Sequence, residues 1–294
     1  MDFILLFLCK TFGYNGVVKV LIFGSKGYLG QLFASQYPDA RLSDADIADS
    51  LAVTTVLDQE KPDVVINAAG KTGRPNVDWC EDHKEETLRS NVTGPLVLLQ
   101  ECGKRGIYWV HLGSGCIYTG DNDGKGFTEM DPPNFGGSFY SRTKAWSDQI
   151  LRDFPHVLVL RIRMPFDGST HSRSLISKIS KYAKVLDEKN SLTYLPDFMK
   201  AADTLIKKKK TGIYNVVNPG AMSPWDIMNL YKEIVDPTKQ CTRIDADQLQ
   251  TMVKAGRSNC ILSGKKLESE GVHMRPVEEA VREALKSIKK ANSV

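Results

Sequence analysis

Short runs of aliphatic and β-branched residues recur along the first half of the chain, and each ends in glycine, small or polar residues. The runs lie within Val17 to Phe23, Lys61 to Gly70, Gly106 to Leu112 and Val157 to Ile162. Such apolar runs are typical of strands buried on both faces of a parallel sheet. Segments with helical periodicity separate them. The alternation predicts an α/β fold built on a doubly wound parallel sheet.

The second half of the chain has a less regular pattern. Beyond about residue 165, a strand over Gly212 to Asn218 and a largely helical segment from Glu268 to Lys290 stand out. We therefore predict an N-terminal extension at 1–16, an NAD(P)-binding domain at 17–165 and a smaller substrate-binding lobe at 166–294. The lobe is expected to be interleaved with the first domain, because no repeat and no low-complexity linker separates the two.

Composition narrows the classes of function. The 294 residues carry a net charge of +4, which is too small to indicate nucleic-acid binding. The six cysteines lack metal-ligand spacing, so we expect reduced thiols, no metal site and a cytoplasmic protein. The apolar segment from Phe3 to Cys9 is too short to span a bilayer. It is compatible with a signal or anchor, an extra strand or a disordered extension, and we predict no membrane partner.

A glycine-rich loop follows the first predicted strand. Gly24, Gly27 and Gly30 are spaced three residues apart. Glycine at these positions permits a tight turn, close approach of the backbone to a pyrophosphate, and close packing of helix on strand. The helix that follows would point its first N–H groups at the anion. The loop predicts a dinucleotide site formed by Gly24, Ser25, Lys26, Gly27, Tyr28, Leu29 and Gly30.

Later stretches are placed to hold the rest of the dinucleotide. Arg41 lies near the second predicted strand, where a guanidinium suits a 2′-phosphate and favours NADP. Asp46 and Ile47 are placed to flank the adenine, and ordinary loop residues without a ligand are the alternative. A helix predicted from about Lys84 to Gly94 contributes Asn91. Small residues after the third strand would let a ribose and a phosphate lie against the backbone: Asn67, Ala68, Ala69 and Gly70.

Tyr140 and Lys144 are four residues apart, a spacing that puts both side chains on one face of a helix. A neighbouring ammonium lowers the pKa of a phenol and makes it a proton donor near neutral pH. Ser114 comes at the end of a predicted strand. Hydroxyl, phenol and ammonium together suit the reduction of a carbonyl. Because Tyr-x3-Lys is common by chance, an ordinary helix surface is the alternative.

These motifs resemble the extended short-chain dehydrogenase/reductase superfamily. Longer stretches resemble its dTDP-4-dehydrorhamnose reductase group, and most of all the bifunctional UDP-4-keto-6-deoxyglucose 3,5-epimerase/4-reductases: residues 72–81, 115–117, 134–141, 160–165, 212–215 and 257–259. The resemblance covers about residues 18–285. It implies a Rossmann fold, NADPH as the cofactor with NADH as the alternative, and a UDP- or dTDP-4-keto-6-deoxy sugar as the substrate. A homodimer is compatible with it.

The resemblance also implies roles for individual residues. Cys116 and Lys178 match the family's epimerising cysteine and lysine, which would exchange protons at C3 and C5 on opposite faces of the sugar. Tyr140 would protonate the C4 oxygen during reduction, while Ser114 holds that oxygen and Lys144 binds the nicotinamide ribose. Arg163 falls among the cofactor residues. The remaining implied contacts are to the substrate: Thr72, Arg74, Asn76, Asp78, Trp79, Arg257 and Asn259.

Three other functions are weighed against this one. A 4-reductase without epimerase activity would need neither Cys116 nor Lys178, which would then be a buried thiol and a solvated lysine. A non-catalytic NADP-binding subunit, like the β subunit of methionine adenosyltransferase, would bind cofactor without turnover. A 4,6-dehydratase is disfavoured, because Cys116 stands where that chemistry needs an acidic pair. The short loop from Tyr118 to Phe127 leaves UDP and dTDP both open.

Overall fold

The computed structural model describes residues 18–292. The predicted N-terminal extension therefore lies outside the described residues. The strands are β1 (Val20–Phe23), β2 (Arg41–Ser43), β3 (Val64–Asn67), β4 (Tyr108–Ser114), β5 (Val157–Ile162), β6 (Pro165–Phe166), β7 (Lys184–Leu186), β8 (Thr193–Tyr194), β9 (Gly212–Asn215) and β10 (Thr242–Ile244).

Helices alternate with these strands over the first half of the chain, and further helices lie in the second half. The helices of both halves are α1 (Tyr28–Gln36), α2 (Ser50–Glu60), α3 (Trp79–Asp82), α4 (Lys84–Leu88), α5 (Gly94–Arg105), α6 (Phe139–Leu151), α7 (Leu175–Ile179), α8 (Leu195–Lys207), α9 (Pro224–Ile234), α10 (Ala246–Gln250), α11 (Lys265–Ser269) and α12 (Val277–Asn292). A π-helical turn over Arg89–Thr93 joins α4 to α5, and a 3-10 turn over Gly115–Ile117 follows β4.

Six strands form one parallel sheet in the order β2-β1-β3-β4-β5-β9. Every neighbouring pair is parallel. This confirms the doubly wound parallel sheet. Because the chain leaves β1 for β2 on one side and returns to β3 on the other, a crevice opens between the carboxyl ends of β1 and β3. Ligands of such sheets bind at this reversal of strand order.

The sheet is buried on both faces, and alternate residues of each strand face opposite sides. One face packs against α1 and α8, with Phe33 and Phe198 meeting edge to face at 6.0 Å. The other face packs against α2, α5 and α6 around the fully buried Trp109. Both α8 and β9 therefore bring residues from beyond position 165 into the layers of the main sheet.

A second core lies beside the sheet and contains α7, α9 and α12. Two small parallel pairs, β7 with β10 and β6 with β8, accompany it. The amphipathic α12 packs its apolar face onto α9 around Ala280, Ala284 and Leu285. No helix within residues 18–292 is long and apolar enough to cross a membrane.

Three predicted element boundaries differ from the structure. The helix expected over residues 84–94 continues through the π-helical turn and α5 to Arg105, where Gly106 ends it with a φ of +64°. The strand expected to reach Asn218 ends at Asn215. The C-terminal helical segment is divided into α11 and α12, because Gly271 takes a φ of +75° soon after α11 ends, and α12 begins only after Pro276.

Candidate active site

The glycine-rich loop leaves no room for side chains. Gly24 has a φ of +74°, and a Cβ there would lie 2.4 Å from the backbone nitrogen of Ala69. A Cβ on Gly30 would lie 2.1 Å from the Gly24 carbonyl oxygen. The loop between β1 and α1 is therefore pressed against the turn after β3, and α1 begins at Tyr28 directly beside it. This cradle fits a dinucleotide pyrophosphate at the start of α1.

Tyr28 connects the loop to the second lobe. Its ring stacks on His171 at a centroid distance of 4.2 Å and an interplanar angle of 5°. His171 belongs to the segment between β6 and α7. The contact brings the lobe against the predicted cofactor loop, beside the half-buried Leu29 and the buried Ser25.

Arg41 is not placed as the sequence predicts. It is the first residue of β2, and its Nε lies 3.4 Å from Glu60 Oε2 at the end of α2. Because α2 runs antiparallel to the strands, this ion pair lies toward the opposite edge of the sheet from the glycine loop. The cation near the loop is Lys26, which pairs with Asp44 at 2.6 Å.

Asp46 and Ile47 have protein partners. Asp46 accepts hydrogen bonds from the Ala48 backbone and from Arg89, and these contacts lower its carboxyl pKa. Ile47 is buried against Gly94, where an added Cβ would lie 2.4 Å from it. The Ile47 side chain is thus part of the core, and only its backbone could reach a nucleotide.

Asn67 and Asn91 fix the turn that faces the glycine loop. The Asn67 Oδ1 accepts from the Ala69 backbone at 3.0 Å. The Asn91 amide accepts from the Lys71 nitrogen at 2.8 Å and donates to the Lys71 carbonyl at 2.9 Å. Asn91 also donates to Thr143 of α6, at 3.2 Å. In this arrangement Asn91 positions the turn holding Ala68 and Gly70, through a π-helical turn of the kind common at functional sites.

Tyr140 and Ser114 meet at the carboxyl end of β4. Ser138 caps α6 by accepting from the Ser141 nitrogen at 3.0 Å, which places Tyr140 in the first turn. Burial raises the pKa of Tyr140, the nearby Cys116 adds to the rise, and a hydrogen-bonding contact with Ser114 opposes it. The expected lowering of this pKa by Lys144 is therefore wrong for the protein without ligands, because desolvation of the phenolate outweighs any nearby cation.

Lys144 turns toward the sheet rather than toward the phenol. Its Nζ donates to the Leu112 carbonyl at 2.8 Å and lies 3.4 Å from His111 Nε2. Burial lowers its pKa to about 8, although Asp148 and Cys116 oppose the shift. The ammonium is thus close to losing its proton in the physiological range.

Arg163 contacts Cys116 in the 3-10 turn after β4, and its role in cofactor binding stays a prediction. Its Nη1 donates to Cys116 Sγ at 2.8 Å, and its Nη2 donates to Asn190 Oδ1 at 2.5 Å and to the Ser258 carbonyl. The side chain is 3% exposed. Among residues 18–292, these partners are a thiol, an amide and a carbonyl, and no carboxylate forms a salt bridge with this guanidinium.

Four basic side chains cluster on the lobe side. Desolvation lowers the pKa of Lys178, and the neighbouring Arg173 and Arg257 add to the effect. Desolvation likewise lowers the pKa of Arg173, with a contribution from Arg74. Cations that lie this close without an equal number of carboxylates favour a polyanionic ligand. Lys178 is half-buried on α7, so it is not the fully solvated lysine of the alternative interpretation.

The other predicted substrate residues form the rim of this cluster. Asp78 accepts from Arg257 at 2.8 Å and from the Ala255 nitrogen at 2.9 Å. Trp79 stacks on His83 at 3.8 Å. Further hydrogen bonds hold the two segments: Thr72 accepts from Arg173, Asn76 accepts from the Asp78 nitrogen, and Asn259 accepts from Asn190.

Sequence reasoning missed three residues of the site. Arg173 joins the basic cluster and also binds the Gly73 carbonyl at 2.8 Å. Asn190 is fully buried and supports Arg163. His111 lies between Asn67 and Lys144. None of them belongs to a short motif, and the one available signal for His111 is that a histidine interrupts an apolar strand.

The fold and the site together define an extended short-chain dehydrogenase/reductase. The sheet is doubly wound and parallel, the glycine loop forms a cradle at its crevice, and Ser114 at the end of β4 contacts Tyr140 of α6, the helix that also carries Lys144. Sequence comparison identifies the family. The RmlD substrate binding domain matches residues 18–290, and the chain belongs to this family.

Three relatives show how far the likeness extends. A bifunctional dTDP-4-dehydrorhamnose 3,5-epimerase/dTDP-4-dehydrorhamnose reductase of Arabidopsis thaliana is 37% identical, covering 89% of this chain and 90% of that protein. A trifunctional UDP-glucose 4,6-dehydratase/UDP-4-keto-6-deoxy-D-glucose 3,5-epimerase/UDP-4-keto-L-rhamnose-reductase of the same plant is also 37% identical, but the match covers 92% of this chain and only 42% of that longer protein. The crystal structure of a UDP-rhamnose synthase from Acanthamoeba polyphaga mimivirus superposes with a TM-score of 0.88 at 34% identity, covering 92% of this chain and 100% of that one.

Proposed function

We propose that this chain is a nucleotide-sugar 3,5-epimerase/4-reductase, which converts a UDP- or dTDP-4-keto-6-deoxyglucose to the corresponding L-rhamnose nucleotide with NADPH. The observation that carries the proposal is the contact of Cys116 with the buried Arg163, two residues after Ser114 and beside Tyr140. A reductase alone has no use for a thiol held by a cation at this point. Relatives whose names state both activities support the same conclusion.

Epimerisation requires a proton acceptor and a proton donor on opposite faces of the sugar. The C4 ketone acidifies the protons at C3 and C5. Cys116, which accepts a hydrogen bond from Arg163 and lies beside Tyr140, is placed to exchange a proton with the sugar. Lys178, whose pKa is lowered by burial, is suited to return one from the lobe side. Ser114 and Tyr140 would hold the enolate oxygen that forms between the two transfers.

Reduction would use the other half of the site. NADPH, when bound, supplies a hydride to C4. Tyr140 would give its proton to the C4 oxygen, and Ser114 would orient that oxygen. Burial raises the pKa of Tyr140, which keeps the phenol protonated and able to give a proton. Lys144 would bind the nicotinamide ribose from α6.

The remaining contacts distribute the two nucleotides between the sheet and the lobe. The cradle of Gly24 and Ala69 would hold the cofactor pyrophosphate. Lys26 and Arg89, which pair with Asp44 and Asp46, would lie at its adenosine end. The basic cluster on the lobe would hold the substrate diphosphate.

A cytoplasmic location and a homodimer complete the proposal. The cysteines within residues 18–292 are free thiols, which suits a reducing compartment. The outer face of α6 leaves Trp146 and Ile150 41% and 37% exposed, which supports an apolar contact between two copies.

The test is a reaction with UDP-4-keto-6-deoxyglucose and NADPH in deuterated water, followed by NMR of the product. Deuterium at C3 and C5 of a rhamnose product is expected for the natural protein, and Cys116→Ala should lose it. Cys241→Ala is the matched control, because that half-buried cysteine packs in the second core. A reduced sugar without deuterium would leave a 4-reductase only. Binding of NADPH without any turnover of UDP or dTDP sugars would leave a non-catalytic cofactor-binding subunit.

A further inference from the structure

A chain of buried polar groups runs beneath the site, from the turn after β3 to α6. The side chains of Asn67, His111 and Lys144 are 0%, 1% and 6% exposed. Asn67 and His111 face each other across neighbouring strands, with Nδ2 and Nδ1 3.2 Å apart. His111 Nε2 then lies 3.4 Å from Lys144 Nζ. The chain ends where Lys144 donates to the Leu112 carbonyl.

The direction of each hydrogen bond follows from one fixed end. The Ala69 N–H needs an acceptor and finds the Asn67 oxygen at 3.0 Å. The other end of that amide, its NH2 group, must therefore face His111. Nδ1 of His111 has to accept, so in the neutral imidazole the proton is on Nε2. Burial lowers the pKa of His111 well below its usual range, which keeps this ring neutral.

The Nε2 proton points at the amine of Lys144. An uncharged amine has a lone pair that accepts this proton, while one of its own hydrogens still reaches the Leu112 carbonyl. An ammonium has no lone pair, so its N–H groups would face the imidazole N–H. The other imidazole tautomer only moves the conflict to Asn67, whose NH2 would then face an N–H. Buried donors without acceptors are costly, so the chain is fully satisfied when Lys144 is uncharged.

We propose that His111 is a positioning residue for Lys144. The imidazole donates a hydrogen bond from Nε2 to the lysine nitrogen, favours the uncharged side chain and so sets the upper pH limit of carbonyl reduction. The last part rests on the proposed reductase function, in which the charged Lys144 binds the nicotinamide ribose. The hydrogen-bond direction does not rest on it.

Other groups around Lys144 act in the opposite sense. Asp148 on α6 and Cys116 on the 3-10 turn both favour the ammonium. The Asp148 carboxylate is occupied by Arg161, which binds both of its oxygens at 2.8 and 2.7 Å. Within residues 18–292, His111 is the side chain in hydrogen-bonding contact with Lys144, and the direction of that hydrogen bond opposes the charge. Changing His111 should therefore move the balance in a known direction.

The first test is spectroscopic and uses the full chain without cofactor. Nitrogen-15 NMR of the histidine rings should show His111 with an unprotonated Nδ1 and a protonated Nε2 at neutral pH. Carbon-13 NMR of the lysine Cε should show Lys144 losing its proton at a higher pH in His111→Gln than in the natural protein. A protonated Nδ1, or an unchanged Lys144 titration, would overturn the proposal whether or not the protein is a reductase.

The second test is the pH profile of kcat/KM for NADPH-dependent reduction of the 4-keto sugar nucleotide. In the natural protein the rate should fall as pH rises through the Lys144 pKa. Gln at position 111 offers an oxygen that accepts from the ammonium, so the alkaline limb should move up by about 0.5–1 pH unit, the size of one exchanged hydrogen bond. His156→Gln is the matched control, since His156 lies at the other end of the sheet beside Gly103. A general loss of rate without movement of the limb would mean that His111 is only structural.

Discussion

Replacing Asp148 with asparagine should remove the counter-ion of a guanidinium inside the core. Arg161 is a fully buried residue of β5, and its Nε and Nη2 donate to the two Asp148 oxygens at 2.8 and 2.7 Å. Its other contacts are the Asn215 side-chain oxygen at 3.4 Å and the Tyr118 ring at 5.4 Å, and the buried Glu129 carboxylate nearby also favours its charge. Because Asp148 belongs to α6, the pair also ties the helix of Tyr140 to the sheet.

The size of the effect follows from the burial of both partners. The side chains are 0% and 2% exposed. Removing one partner of such a pair costs about 3–5 kcal/mol, because the remaining charge is left in a medium of low polarity. Asparagine keeps the shape and one acceptor, so we expect about 3 kcal/mol. For a chain of this size, that corresponds to a fall in Tm of roughly 6–12 °C.

Denaturant titration and calorimetry of the full chain would measure the change. Glu233→Gln is the control, because it breaks an ion pair with Arg282 in which the Arg282 and Glu233 side chains are 38% and 61% exposed. Breaking this exposed pair should lower the free energy of unfolding by less than about 1 kcal/mol. The double variant Asp148→Leu/Arg161→Met should recover much of the loss, because an apolar pair leaves no charge to desolvate. A loss for Asp148→Asn no larger than that of Glu233→Gln would refute this reasoning.

Three further changes test the site. Gly24→Ala should weaken NADPH binding by at least about tenfold in a fluorescence titration, because the added Cβ would collide with the backbone of Ala69. Gly124 also has a positive φ but faces open space, so Gly124→Ala should leave the affinity unchanged, and equal losses in the two variants would contradict the pyrophosphate cradle. Arg173→Met should raise KM for the sugar nucleotide roughly tenfold with little change in kcat, and an unchanged KM would remove Arg173 from the diphosphate site. Arg163→Met should slow deuterium exchange at C3 and C5 more than it slows reduction of a pre-epimerised 4-keto-rhamnose nucleotide; equal slowing would mean that it only supports the fold.

Local features of the fold could be predicted from the sequence because neighbouring residues determine them. The runs ending at Phe23 and Ile162 are strands of the central sheet, since a continuous apolar run must be covered on both faces. Helix α1 begins at Tyr28 as expected, because the positive φ of Gly24 and the close backbone contacts of the glycine loop turn the chain sharply at the end of β1. Tyr140 and Lys144 lie in one helix, as their spacing indicates.

What each polar side chain contacts was decided by the tertiary structure. Arg41 and Glu60 are 19 residues apart in the sequence, and they pair at the start of β2, away from the cofactor crevice. Arg163 and Cys116 are brought together by neighbouring strands. The pKa of Tyr140 rises where the sequence predicts a fall. Burial and long-range hydrogen bonds set these properties, and neither follows from the spacing of a motif. The sequence by itself therefore determined the sheet and the types of reactive residue. The packing of the folded chain determined which partners and charge states those residues have.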